Sequence, residues 1–301
     1  MLRVLLAASV ALVSWSVARA ATPAEDAYFA AREAAVAKVK AAAQAKPAKK
    51  DAKKQEAALK QLEDQSREAL LKQLSELVGP QKPQGYDKGE FSLESLQPES
   101  VGADQLDAIV YVKGEKDPSI SVTTEGVAGH WLAAVAADPE RANLKLPATL
   151  PEALANPTFY TLALGGEAAF SLYAPVHTTA DPTAVALLGA FQQDVGPGAP
   201  NALVMSVRRG GRLYVVQAPP AKELKPSPVC EAVWNSFEQK ADKAQKAYQA
   251  SHEKDQAQLD ASQQAEAEGD EAYRRCFAQN LKPEDVAAFA KQADQLVKLL
   301  P

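Results

Sequence analysis

Reactive side chains are scarce in this sequence. Histidine occurs three times, as His130, His177 and His252, far apart and in different segments. None has a second histidine or a cysteine at ligand spacing, so no metal site is expected. Cysteine occurs twice, as Cys230 and Cys276, and pairing them leaves no thiol for catalysis or metal binding. The G-x-S-x-G elbow and the H-E-x-x-H helix are both missing, which removes common signatures of serine and zinc hydrolases. The glycine pairs at 165–166 and 210–211 lack the strand-loop-helix setting of a phosphate cradle and read as hairpin turns. No catalytic residue and no cofactor is therefore assigned.

Long apolar runs are also missing after the N-terminus. Residues 1–20 combine Arg3, an apolar stretch over 4–17 and the small-x-small site Ala18-Arg19-Ala20. This is the pattern of a secretory signal peptide, with the mature chain starting near Ala21. The stretch is too short to span a bilayer, which needs ~20 apolar residues. No cysteine near the cleavage site marks a lipoprotein, and no later stretch approaches a membrane-spanning length. The expectation is an exported, periplasmic or secreted protein that is not an integral membrane protein. In such an oxidising compartment a Cys230–Cys276 disulfide is expected, the alternative being free or intermolecularly paired thiols. Excess positive charge is lacking as well. Without residues 1–20 the chain holds 31 basic and 38 acidic residues, a net charge of −7, which argues against nucleic-acid binding.

Helix-forming sequence is abundant. Residues 22–78 are rich in Ala, Lys, Glu, Gln and Leu, with Tyr28, Arg32, Ala35 and Val39 at helical spacing and an interruption at Pro47. A hairpin bent near Pro47 is the economical reading, and a single kinked helix is the alternative. The bend is basic: between Lys38 and Lys60 eight lysines, among them Lys49, Lys50, Lys53 and Lys54, face only Asp51 and Glu56. Such a tip suits an anionic surface, or is simply a solvated end. The second helical run lies between the two cysteines. Its inward positions Cys230, Trp234, Phe237, Ala241, Ala244 and Tyr248 advance by fours and threes, a coiled-coil-like seam. Folding back near His252-Glu253-Lys254 brings the cysteines together at the open end and sets Phe237 opposite Gly269.

Between the helical runs, strand-like segments at 108–112 and 119–123 precede a helix over 127–137. A similar unit is expected from strands at 158–164 and 168–174 and a helix from Asp181-Pro182 through Phe191. Strands at 203–207 and 213–217 form a third, without its helix. The fold class is thus α+β: a mainly antiparallel β-sheet module of repeated hairpin-helix units, with helices on one face, flanked by N- and C-terminal helical hairpins. A short edge strand is expected near residue 90. The organisation reads as signal peptide 1–20, helical hairpin 21–80, linker 81–105, sheet module 106–220, linker 221–229, disulfide-closed hairpin 230–280 and docking helix 281–301.

Possible ligand or partner contacts are Trp131, beside His130 in a helix; His177, four residues from Asp181; and Arg208, Arg209 and Arg212 around the glycine turn. Each has a plainer reading: Trp131 packing on the sheet, Asp181 capping the next helix, and arginines decorating a hairpin. The leading expectation is a non-enzymatic interaction, scaffold or chaperone-like envelope protein with a protein partner. A small-ligand or sensory module with a pocket near Trp131 and Phe191 is the alternative. A hydrolase built on His177 is the third.

Overall fold

A computed structural model describes residues 22–44, 52–91, 105–164, 169–192 and 198–301. Helix α1 (Pro23–Gln44) starts with a reciprocal capping box. The Glu25 carboxylate accepts from the Thr22 amide at 2.7 Å, and the Thr22 hydroxyl accepts from the Glu25 amide at 3.2 Å. Helix α2 (Ala52–Val78) ends at Gly79, whose φ of 70° provides the left-handed cap that stops a helix. The Gln55 side chain donates to the Ala42 carbonyl at 3.2 Å, so the chain reverses and the two helices form a hairpin. The bend, with Pro47, Lys49 and Lys50, lies outside the described residues. One end of this hairpin is buried through Tyr28, Phe29, Leu70, Leu74 and Val78.

The class is α+β with an antiparallel sheet flanked by N- and C-terminal helices. Among the described residues seven strands lie in the order β1-β2-β3-β7-β6-β5-β4. The strands β1 (Glu90–Phe91), β2 (Ile109–Tyr111) and β3 (Ser119–Thr124) form a first meander. The strands β4 (Ala169–Val176), β5 (Val185–Gln192), β6 (Ala202–Arg209) and β7 (Arg212–Ala218) form a second, which returns to lay β7 against β3. Gly210 and Gly211, at φ 60° and 76°, make the two-residue turn between β6 and β7. Gly165 and Gly166 lie outside the described residues.

Two segments depart from the expected pattern. Residues 158–164 are not a strand: they fall on helix α5 (Pro157–Ala163), with proline in the first turn and the Asn156 side chain accepting the Thr158 amide at 2.9 Å. Residues 185–191 are not a helix: they belong to β5, which pairs with a strand on each side. The second expected hairpin-helix unit is therefore replaced by a four-stranded meander.

Both faces of the sheet are covered, not one. On one face Ser206 and Phe170 meet α5, which packs through Phe159 on Trp131 of α3 (Glu125–Ala137), itself in contact with α4 (Leu150–Ala153). The Tyr160 hydroxyl of α5 donates to the Leu154 carbonyl at 2.6 Å and lies 3.2 Å from the Ser206 hydroxyl. On the other face Arg212 Nε donates to the Val78 carbonyl, the last turn of α2, at 2.6 Å. That face also takes helix α8 (Pro283–Val297), which buries Phe289, Ala293, Leu296 and Val297. Edge strand β4 carries a register shift between Leu172 and Ala174, then Pro175. Its Phe170 amide is held by the Thr161 hydroxyl at 2.7 Å.

Helices α6 (Pro228–Ala250) and α7 (Gln256–Gln279) fold back as the seam predicts, turning at His252 and Glu253, both with positive φ. Cys230 and Cys276 are disulfide-bonded at the open end, their Cα atoms 5.6 Å apart. An ideal Cβ on Gly269 would lie 2.7 Å from Phe237 Cβ, so glycine is what lets the helices approach there. A small cluster of Tyr173, Ala190, Cys230, Trp234, Tyr273 and Phe277 fixes the hairpin to β4 and β5. Beyond it the buried residues Ala241, Ser262 and Ala265 face only the partner helix. The outer part, ~25 Å from Trp234 to the turn at 1.5 Å per residue, projects as an arm.

Candidate functional site

A groove of about 500 Å³ lies between α1 and α3. Its geometry starts at Glu25. That carboxylate accepts the Thr124 hydroxyl at 2.5 Å, and Thr124 is the N-cap of α3, its oxygen accepting the Val127 amide at 3.0 Å. Glu25 thus sits at the positive end of a second helix while capping its own. A side chain at Gly126 would meet it at 2.4 Å. One turn further along both helices, Phe29 stacks on His130 with ring centroids 3.7 Å apart and planes 8° from parallel. The order of these contacts makes α1 and α3 run in the same direction. Beyond them the helices leave a gap walled by Val36 and Ala37 on one side and Ala134 and Ala137 on the other.

The floor is a partly buried polar network. Asp107 Oδ2 accepts from the Tyr28 hydroxyl at 2.6 Å and from Arg32 Nε at 2.8 Å. Burial, and then the adjacent Asp107 carboxylate, push the Tyr28 phenol far above its ordinary value, so it remains a donor. Burial works against the Arg32 charge, but Asp107 outweighs it and the guanidinium is held more strongly protonated. Trp131 forms the apolar part of the floor, only 5% exposed and edge-on to Phe159 at 5.5 Å. Glu33, Lys40, His130 and Asp138 stand at the rim, and among the described residues no serine, threonine or cysteine lines the groove. An apolar surface with a few fixed polar groups can hold a ligand or a peptide segment.

The other residues singled out in the sequence lie elsewhere. His177 is exposed just past the end of β4. Asp181 accepts from the Thr183 amide at 2.8 Å, from the Thr183 hydroxyl and from Arg209. Burial opposes its charge, but those hydrogen bonds outweigh it and hold the carboxyl below its ordinary value. It caps the turn into β5, and shares no hydrogen bond with His177. Beside it Asp294 accepts from the Thr178 hydroxyl at 2.5 Å and the Thr179 and Ala180 amides at 3.1 and 3.2 Å. The three arginines point to three different places. Arg209 reaches Asp181 and the carbonyls of Leu300 and Pro301, Arg212 reaches α2, and Arg208 stands 4.0 Å from Glu125. Lys53 and Lys54 are exposed at the start of α2.

Phe191, expected beside Trp131, instead packs on Phe170 at 5.0 Å and does not line the groove. Glu25 and Asp107 went unnoticed in the sequence, although a signal existed for both. Thr22-Pro23-Ala24-Glu25 is a capping-box pattern. An arginine inside the apolar stripe of α1 requires a buried carboxylate opposite it. Among the described residues no group of three or more His, Cys, Asp or Glu could hold a metal, and no helix is long and apolar enough to cross a membrane. The chain matches no protein-family model, no curated protein and no solved structure.

Proposed function

We propose that the protein is an exported, non-enzymatic interaction or scaffold protein of the cell envelope, and that the groove between α1 and α3 receives a segment of a protein partner. The observation that carries this reading is the groove itself. Ala37, Ala134 and Ala137 are exposed small residues that let a second backbone approach, and Trp131 and Phe29 give apolar depth. The Cys230–Cys276 bond is compatible with an oxidising compartment such as the periplasm. A chaperone-like role uses the same surface, with loosely defined partners.

The test is to fill the groove without touching the core. Ala134→Trp should remove the partners that co-purify with the wild-type protein from envelope fractions, as read by mass spectrometry, while Ala247→Trp on the exposed face of α6 should retain them. Identical partner sets for both variants would exclude the groove. A second reading, a small-ligand site, draws on the size of the groove, which falls within the roughly 300–1,000 Å³ of ligand pockets. Thermal-shift screening against small amphiphiles distinguishes it: a shift in the wild type that Ala134→Trp abolishes favours the ligand. A hydrolase centred on His177 would lose activity in His177→Ala with the fold intact.

A further inference from the structure

We infer that the free end of the α1–α2 hairpin is an anionic-membrane contact, made by Lys38, Lys40, Lys53, Lys54 and Lys60 with the phosphate headgroups of an acidic bilayer. This does not rest on the groove reading: of the five lysines only Lys40 stands at the groove rim. Three observations converge. The first is position. The Gln55–Ala42 hydrogen bond sets the register of the hairpin, so Lys53 and Lys54 lie at the same end as Lys38 and Lys40. The opposite end is the one buried in the core through Tyr28, Leu70, Leu74 and Val78. The second is the absence of partners. None of the five lysines makes a salt bridge with a described residue, whereas Arg32, Arg209, Arg274 and Arg275 all do. The third is segregation of charge. Residues 38–60 carry a net +6 in a chain that is acidic as a whole. The α6–α7 hairpin, with ten acidic and six basic residues, is acidic like the chain.

An acidic membrane repels such a molecule except at one end, so the same field that attracts the tip also orients the body. No aromatic residue occurs among positions 38–60, and the exposed side chains between the lysines include Ala41, Ala57 and Ala58. Contact is therefore electrostatic, without insertion, and salt should reverse it completely. The absence of aromatics also leaves nothing for nucleic-acid bases to stack on.

The experiment is vesicle co-sedimentation of the protein purified from envelope fractions. Vesicles of phosphatidylglycerol with phosphatidylcholine are compared with phosphatidylcholine alone. The protein should bind the acidic vesicles at low salt and be released by about 0.5 M salt, where the screening length falls to a few ångströms. It should leave the zwitterionic vesicles unbound. K53E/K54E shifts the charge of the tip by four units and should weaken binding by about six-hundredfold, since each charge near an acidic surface contributes about a factor of five. K243E/K246E makes the same change in net charge on the exposed face of α6 and should leave binding within about threefold of wild type. Both variants replace exposed helical lysines by another good helix former, and unchanged thermal melts confirm folding. Wild-type protein that ignores acidic vesicles, binding that survives high salt, or equal losses in the two double variants would each overturn the inference. Failure of the groove variant to lose its partners leaves this result untouched.

Discussion

The protein attaches two helical hairpins to one sheet by different means. The α1–α2 hairpin enters the main core: it carries bulky apolar side chains and a polar network linking Tyr28, Arg32 and Asp107, and nothing covalent closes it. The α6–α7 hairpin contributes Cys230, Trp234, Tyr273 and Phe277 to a separate small cluster with Tyr173 and Ala190 of the sheet, and has an outer seam of alanine and serine and a disulfide. Where large side chains reach the sheet, packing and buried hydrogen bonds hold the helices. Where the seam is reduced to methyl groups, little area leaves water, and a covalent link supplies the constraint. The first arrangement fixes orientation through directional bonds. The second fixes proximity and leaves the outer arm to its own weak contacts.

Replacing both Cys230 and Cys276 by serine should have the largest effect. The bond closes a separation of 46 residues, and the loop-entropy relation gives about 4 kcal/mol. Hydrogen exchange should show the loss concentrated in α6 and α7, with β3, β6 and β7 still protected. Uniform loss across the sheet would break the contrast drawn above. Next comes Asp107→Ala, which withdraws the acceptor of Tyr28 and Arg32 and should cost about 3 kcal/mol in urea unfolding. Here exchange should quicken in α1 and α2 and not in the arm. Gly269→Val pushes a Cβ into Phe237 and should cost about 2 kcal/mol, observed as earlier helical melting of α6–α7. Thr22→Ala removes the cap of α1 and should lower stability by about 1 kcal/mol. The smallest effect lies on α8. Hydrogen bonds from the Thr178 hydroxyl and the Thr179 amide hold Asp294 below its ordinary value. Its contribution is present above the unfolded carboxyl value, about 3.9, and is lost as pH falls through the lower folded value. Asp294→Asn should flatten the acid limb of the stability profile by slightly lowering stability at neutral pH, and leave it nearly unchanged at pH below the folded value.

Local pattern made some elements legible and concealed others. The α6–α7 fold-back followed from a seam of fours and threes ending on two cysteines, and the β6–β7 turn from paired glycines. Strand β5 was concealed by its burial. Ala186, Leu187, Leu188 and Ala190 are all covered because helices pack on both faces, so the alternation that marks a half-exposed strand is absent. Asp181-Pro182 then resembled a helix start, and Asp181 does accept a backbone amide, but in a turn leading into a strand. Helix α5 is too short to display a period, and Asn156-Pro157 was the better cue. The groove was the least legible feature, because its walls come from helices almost a hundred residues apart. Trp131 and the stripe containing Tyr28 and Arg32 were visible singly, while their meeting at Asp107 is a product of the tertiary fold.

The register shift near Tyr173, Pro175 and the Thr161 hydroxyl on the Phe170 amide share one consequence. A long edge strand offers a row of unsatisfied backbone groups to any other exposed strand. On β4 the row is bent at one point, lacks a donor at another and is already occupied at a third. Among the described residues the opposite edge is the short strand β1. Two molecules meeting side by side therefore find no matching ladder to extend, and this sheet resists growing into a fibre even at high local concentration.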